Sequence, residues 1–178
     1  NQGELTIFQS TLAHEDHRIT LTAAQNAWVA YNYIQRDIWF TGGNVLFVGN
    51  DMGNVGNANW GNLLNIRAGC NAVIQNNIIA NNWNDGWWGI RVESNAGAVK
   101  ILNNTIFNIY NAIEVDGAHV GAEIRGNIVW ADAGIIRNGI NVGASAIVDS
   151  NNSLKRSGGV ASNNINSDPL FANKWWSS

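Results

Sequence analysis

The chain has 178 residues, 46% hydrophobic and only 13% charged, with a formal net charge of −3. That length fits one domain with a sizeable core, and the acidic balance argues against a nucleic-acid partner. No apolar run approaches the ~18 residues of a membrane span. The single cysteine, Cys70, makes no internal disulfide. The polar share is carried by 30 asparagines, while proline occurs once and glycine 19 times. The chain starts at an asparagine, without an initiator methionine or a signal peptide, and is expected to be a mature chain or a fragment.

Taken in chain order, one pattern recurs: apolar-x-apolar-x-x-Asn-x-apolar. It first occurs at Leu5, Ile7, Ser10, Leu12, with serine in the polar slot. It returns at Ala27, Val29, Asn32, Ile34 and at Val45, Phe47, Asn50, Met52. Next come Ala72, Ile74, Asn77, Ile79, then Val99, Ile101, Asn104, Ile106, then Ala122, Ile124, Asn127, Val129. A last copy, Ala146, Val148, Asn151, ends its apolar set at Ser153. The polar slot recurs at spacings of 22, 18, 27, 27, 23 and 24 residues. A second alternating strand follows each of the first six copies, with inward pairs Ile19/Leu21, Ile38/Phe40, Leu64/Ile66, Ile90/Val92, Ile113/Val115 and Ile140/Val142. No stretch has a helical period.

Repeats of this length with strand periodicity predict an all-β solenoid, a parallel β-helix of about seven rungs with two strands per rung. At about 4.8 Å per rung it would be a rod of roughly 34 Å. Asparagine is disfavoured in strands and costly to bury unless its amide is bonded. Seven copies in phase predict an internal ladder of Ser10, Asn32, Asn50, Asn77, Asn104, Asn127 and Asn151, bonded amide to amide along the axis.

The pattern resembles the right-handed parallel β-helix, or pectate-lyase-like, superfamily. The resemblance runs from about Leu5 to Phe171 and is most specific in "VKILNNTIF" and the closing "NSDPLF" of residues 166–171. It implies right-handed coiling, an extracellular or cell-surface setting and carbohydrate as the substrate class. One domain then spans 1–178, with repeats over about 5–165 and a closing segment over 166–178. The chain is short for an enzyme of that fold and enters its first rung by residue 5. Solenoid ends need covering, so either residues are missing or another chain covers that end.

The outward positions of the second strand stack as two columns: Thr20, Trp39, Asn65, Arg91, Glu114, Asn141, and Thr22, Thr41, Arg67, Glu93, Asp116, Gly143. Glu93 and Asp116 are the pair that would hold Ca²⁺, and Arg67 and Arg91 would hold a uronate carboxylate. The same carboxylates suggest a glycosidase acid and base, although adjacent rungs leave little room for an inverting water. A plain surface ladder of alternating charge is the competing expectation, and no family catalytic motif aligns here. Trp60, Trp83, Trp87, Trp88 and Tyr110 lie in the preceding loops, where flat rings would stack on sugars with Asn59, Asn84 and Asp85 beside them. His14 and His17 share a loop with Glu15 and Asp16, a weak metal pattern; His119 stands apart.

The first strand's outward columns place Phe8, Trp28, Leu46, Val48 and Val73 together, a patch that monomers seldom expose. A parallel strand apolar on both faces is usually covered on both. The expected cover is another copy of the chain, another protein, or the chain's own terminus with Trp175 and Trp176. The sequence therefore favours an extracellular structural or adhesive module that self-associates or packs on a partner, such as a filament or surface-assembly subunit. The alternative is a carbohydrate-active protein, a polysaccharide lyase or glycoside hydrolase, or a carbohydrate-binding remnant of one.

Overall fold

The computed structural model describes residues 4–13, 19–22, 26–35, 37–53, 62–82, 88–130, 138–153, 156–157 and 159–166. These residues form three parallel sheets of eight, seven and seven strands and no helix. The first sheet stacks Leu5–Phe8, Asn26–Ala30, Asn44–Val48, Asn71–Gln75, Val99–Leu102, Glu123–Arg125, Ile147–Asp149 and Val160–Ser162. The third stacks Ile19–Thr22, Ile38–Thr41, Leu64–Ile66, Trp88–Val92, Asn111–Val115, Asn138–Val142 and Arg156–Ser157. Between them lies a second sheet that the two-strand repeat did not anticipate. Its strands begin with pairs such as Thr11–Leu12, Tyr33–Ile34 and Asp51–Met52. A two-residue strand shows no alternation of its own, so these segments read as the tail of the asparagine motif. Each turn thus carries three strands rather than two.

The register follows the repeat. Ala72, Ile74 and Gln75 pair with Val45, Phe47 and Val48 on one side and with Val99, Ile101 and Leu102 on the other. Val29, Phe47, Ile74, Ile101 and Ile124 therefore stack inside as one fully buried column, with Phe40 edge-on to Phe47 at 5.9 Å. Five turns, from Ala27 to Val142, have an enclosed apolar interior on all three sheets. In the turn before them Leu5, Ile7, Leu12, Ile19 and Leu21 are only partly buried. In the turn after them Ser153 takes the place of Val129. The apolar coil is accordingly about five turns rather than the expected seven, because the inward apolar set thins out at both ends.

The first two sheets meet at a two-residue corner. Its first residue has positive φ in every turn: Gln9, Tyr31, Gly49, Asn76, Asn103, Gly126, Ser150 and Asn163, between 46° and 66°. Non-glycine residues seldom adopt this left-handed conformation, and asparagine tolerates it best among them. At Gly126 glycine suits both the left-handed φ and the space, since a Cβ there would press on the end of the Asn103 side chain of the preceding turn. The second corner residue is the ladder residue. Asn77 donates its backbone N–H and its Nδ2 to Asn104 Oδ1, at 3.0 and 2.9 Å, and its other Nδ2 proton to the Phe47 carbonyl at 3.0 Å. The same three bonds recur from Asn32, Asn50, Asn104, Asn127 and Asn151. Ser10 gives only its backbone N–H, to Asn32 Oδ1 at 2.9 Å, and its hydroxyl turns to the Phe8 carbonyl. Asn164 extends the ladder by one step beyond the expected set.

Asn104→Ala removes the acceptor shared by the backbone and side-chain donors of Asn77. It is expected to cost about 1–3 kcal/mol, read as a lower urea midpoint at unchanged m-value. Asn26→Ala, which removes an exposed amide of the first sheet, should change stability by no more than about 0.5 kcal/mol.

Candidate functional site

Two faces of the coil carry the candidate residues. On the third sheet, strand register places Trp39, Asn65, Arg91, Glu114 and Asn141 in one column. Arg67, Glu93 and Asp116 follow immediately after the strands and continue the stack through bonds from the Arg67, Glu93 and Asp116 N–H groups to the Phe40, Ile66 and Val92 carbonyls. The expected neighbours are therefore brought together, and their charges combine in pairs. Arg67 Nε lies 3.0 Å from Glu93 Oε1, which also accepts from Asn65 Nδ2 at 3.2 Å. Arg91 Nε lies 3.1 Å from Glu114 Oε2, at ion-pair distance but outside hydrogen-bond alignment. Asp116 Oδ1 accepts the Ala118 N–H at 3.0 Å and so organises the loop that follows. Half-exposed pairs of this kind contribute at most about 1 kcal/mol each.

Trp39 was not singled out by the sequence, yet the Arg67 guanidinium stands 4.7 Å from its ring centroid. The signal was its place in the same outward column. The result is a cation–aromatic platform with the buried Asn65 Oδ1 beside it, an oxygen that accepts no hydrogen bond among the described residues.

Burial of Glu114 pushes its carboxyl above the usual range; the Arg91 charge opposes this and the nearby Asp116 charge reinforces it. The cluster thus offers two ion pairs, a third carboxylate at Asp116, and one carboxyl, Glu114, that holds its proton longer than usual. Among the described residues no group of three or more His, Cys, Asp and Glu side chains is arranged to hold a metal ion.

Of the expected loop aromatics, Trp88 is buried at the start of a third-sheet strand, with its backbone N–H donated to Asn62 Oδ1 at 2.9 Å. Pairing with Asn111 in register draws it into the coil instead of leaving it as a platform for sugars. Tyr110 is half-buried at the corner before Asn111–Val115. Trp60, Trp83 and Trp87, with Asn59, Asn84 and Asp85, lie outside the described residues, as do His14, His17, Glu15, Asp16, Trp175 and Trp176. His119 is buried, with Nε2 2.8 Å from the Gly97 carbonyl.

On the first sheet Phe8, Trp28 and Leu46 are 44%, 40% and 37% exposed, and Val73 is half-buried. Val48 differs from expectation: it is buried, next to the corner where the Tyr31 ring lies across Gly49. Tyr31 is the member that strand alternation missed, because it sits in the left-handed corner and outside the strand. It is 57% exposed and meets Phe8 edge-on at 5.7 Å, while Phe8 is tilted against Trp28 at 6.1 Å. Beside this ridge runs a groove of about 520 Å³ touching Glu4, Asn26, Trp28, Leu46 and Val73. A smaller hollow of about 210 Å³ continues it past Asn71 to Lys100. A second, exposed amide ladder borders both: Asn44 Nδ2 donates to Asn26 Oδ1 at 3.1 Å and Asn71 Nδ2 to Asn44 Oδ1 at 2.9 Å.

Further along the same sheet the apolar residues give way to a charge chain. Lys100 lies 3.2 Å from Glu123, Arg125 2.7 Å from Glu123 and 3.4 Å from Asp149. Hydrogen bonds from Ser162 Oγ and Asn163 Nδ2, with further help from Arg125, hold the Asp149 carboxyl below its usual range.

Comparison with protein-family models, with curated proteins and with solved structures finds no match for this chain.

Two outcomes are expected of the third-sheet cluster. Because the folded Glu114 carboxyl has a raised pKa, its stabilising protonated form is present below the ordinary carboxylate value and is lost as pH rises through the raised one. Glu114→Gln should therefore gain stability relative to wild type as pH rises from about 4 to 6, followed by thermal melts across that range. If the cluster takes Ca²⁺ or a uronate, Glu93→Gln with Asp116→Asn abolishes the rise in melting temperature that the ligand gives; a wild-type melt indifferent to both ligands leaves a surface charge ladder.

Proposed function

We propose that this chain is a structural or adhesive β-solenoid module, working outside the cell or at its surface, that associates with copies of itself through the first sheet. The observation that carries this is the exposed cluster of Phe8, Trp28, Tyr31 and Leu46 on successive turns. The strands beneath it are buried on their inner face, so the apolar outer face is not needed to enclose the core. Burying Phe8, Trp28 and Leu46 against a partner contributes about 1.5–3 kcal/mol each before association costs. The three-sheet turn and the asparagine corner also support a place beside the right-handed, pectate-lyase-like β-helices.

A second reading, binding of an acidic polysaccharide, is favoured by the Trp39–Arg67 platform and by Asn65 Oδ1, which has no partner among the described residues. On this reading the ring supplies a stacking face and the guanidinium a bidentate donor for a carboxylate.

Trp28→Glu combined with Leu46→Lys is expected to yield smaller particles by light scattering while leaving the far-ultraviolet β-signal intact. A wild-type chain that stays monomeric at high concentration would return the weight to the polysaccharide reading.

A further inference from the structure

The groove beside the Trp28–Leu46–Val73 ridge runs along the coil axis, and its two ends carry opposite charge. Glu4 stands at the first turn, and the hollow that prolongs the groove ends at Lys100 in the fifth. Leu46, in the third turn, is its midpoint. We propose that the occupant of this face is a second copy of the chain, laid face to face with its coil axis antiparallel. The two-fold axis then lies along the Asn44–Val48 strand. This rests on the self-association reading above and adds the partner's orientation to it.

The periodicity of the face selects a coil as partner. Its side chains repeat at the inter-strand spacing of about 4.8 Å, whereas an extended peptide laid along the axis repeats at about 6.8 Å per two residues and falls out of step. A second solenoid stays in register at every turn. Charge selects the orientation. Antiparallel, each Glu4 comes within reach of the exposed, flexible Lys100 of the second copy, on both sides of the two-fold axis. Lys100 is engaged by Glu123 at 3.2 Å but remains 55% exposed, and its ammonium has further donors to give. Parallel copies would set Glu4 against Glu4 and Lys100 against Lys100.

Side-chain size agrees with the antiparallel choice. With the two-fold axis along Asn44–Val48, the second turn meets the fourth and the first meets the fifth. Trp28 then faces Val73, Phe8 faces Leu102 and Leu46 faces its own copy, so the largest rings meet smaller apolar side chains.

The test uses the full chain. Glu4→Lys should raise the dimer dissociation constant about tenfold, and adding Lys100→Glu should bring most of it back, since the swap restores opposite charges. The geometry is read separately from a nitroxide on Ser150→Cys, an exposed corner position of the seventh turn. Cys70 is fully buried, with its thiol pushed up to about 11, and takes no label in the native fold. Antiparallel copies hold the two Ser150 labels about 38 Å apart along the axis, four turns on either side of the two-fold. A label separation well under 30 Å, or a charge swap that fails to recover affinity, overturns the proposal. If Trp28→Glu with Leu46→Lys still disperses the particles in that case, self-association stands and only the orientation is wrong. A wild-type chain that is monomeric at every concentration removes both.

Discussion

The constraint on which the structure depends is the corner between the first and second sheets. Each turn must bend sharply there, and a sharp bend strands backbone groups that a straight ladder would have paired. The asparagine amide answers this with its full complement of bonds. Its oxygen accepts two N–H groups from the turn before, and its nitrogen donates to the turn after and to a carbonyl of the turn before. Nothing is left unpaired in a buried site, so an otherwise expensive side chain becomes the element that sets turn against turn. The left-handed residue before it makes the bend, and the bend decides which strand residues face in.

Much of this was legible because the corner leaves a phase in the sequence. Once asparagine fixes the bend, the two apolar residues three and five positions before it must point inward, and one residue of slip would exchange the two faces. That is why Val29, Phe47, Ile74 and Ile101 were readable as core and Trp28, Leu46 and Val73 as surface. What was not legible lacks a phase. The second sheet is too short to alternate at Thr11–Leu12 or Tyr33–Ile34. Tyr31 and Asn76 stand at the corner, where strand parity says nothing about direction. Asn164 follows a turn whose apolar set has already lapsed at Ser153, so no flanking pattern announced it. Trp88 was not legible as a strand residue because the tryptophan-rich sequence before it carries no alternation to mark where its strand begins.

The two candidate faces differ in how far the chain satisfies its own groups. On the third sheet Arg67 and Arg91 meet Glu93 and Glu114 one turn away, and the charges cancel locally. On the first sheet the charged half does the same through Lys100, Glu123, Arg125 and Asp149. The apolar half has no such internal solution, because apolar side chains on an outer face gain only by meeting something else. Polar neighbours on successive turns neutralise one another; aromatic ones accumulate into a surface with a preference for being covered. The division of the first sheet into these halves was visible in its outward columns, although strand parity alone placed Val48 on the exposed face and it is in fact buried.

The ladder also has a sense. Every ladder asparagine turns its oxygen toward the preceding turn and gives its backbone N–H and one Nδ2 proton to the following one, from Asn32 through Asn151. The amide dipoles therefore add along the coil, as peptide dipoles do along a helix, and the row has a negative and a positive direction. Backbone bonds between strands alternate and leave little net dipole, so the side-chain row dominates the polarity of that edge. Coils joined end to end can continue the row only by keeping the same direction, which makes any such fibre polar. Coils lying side by side cancel their fields when antiparallel and add them when parallel.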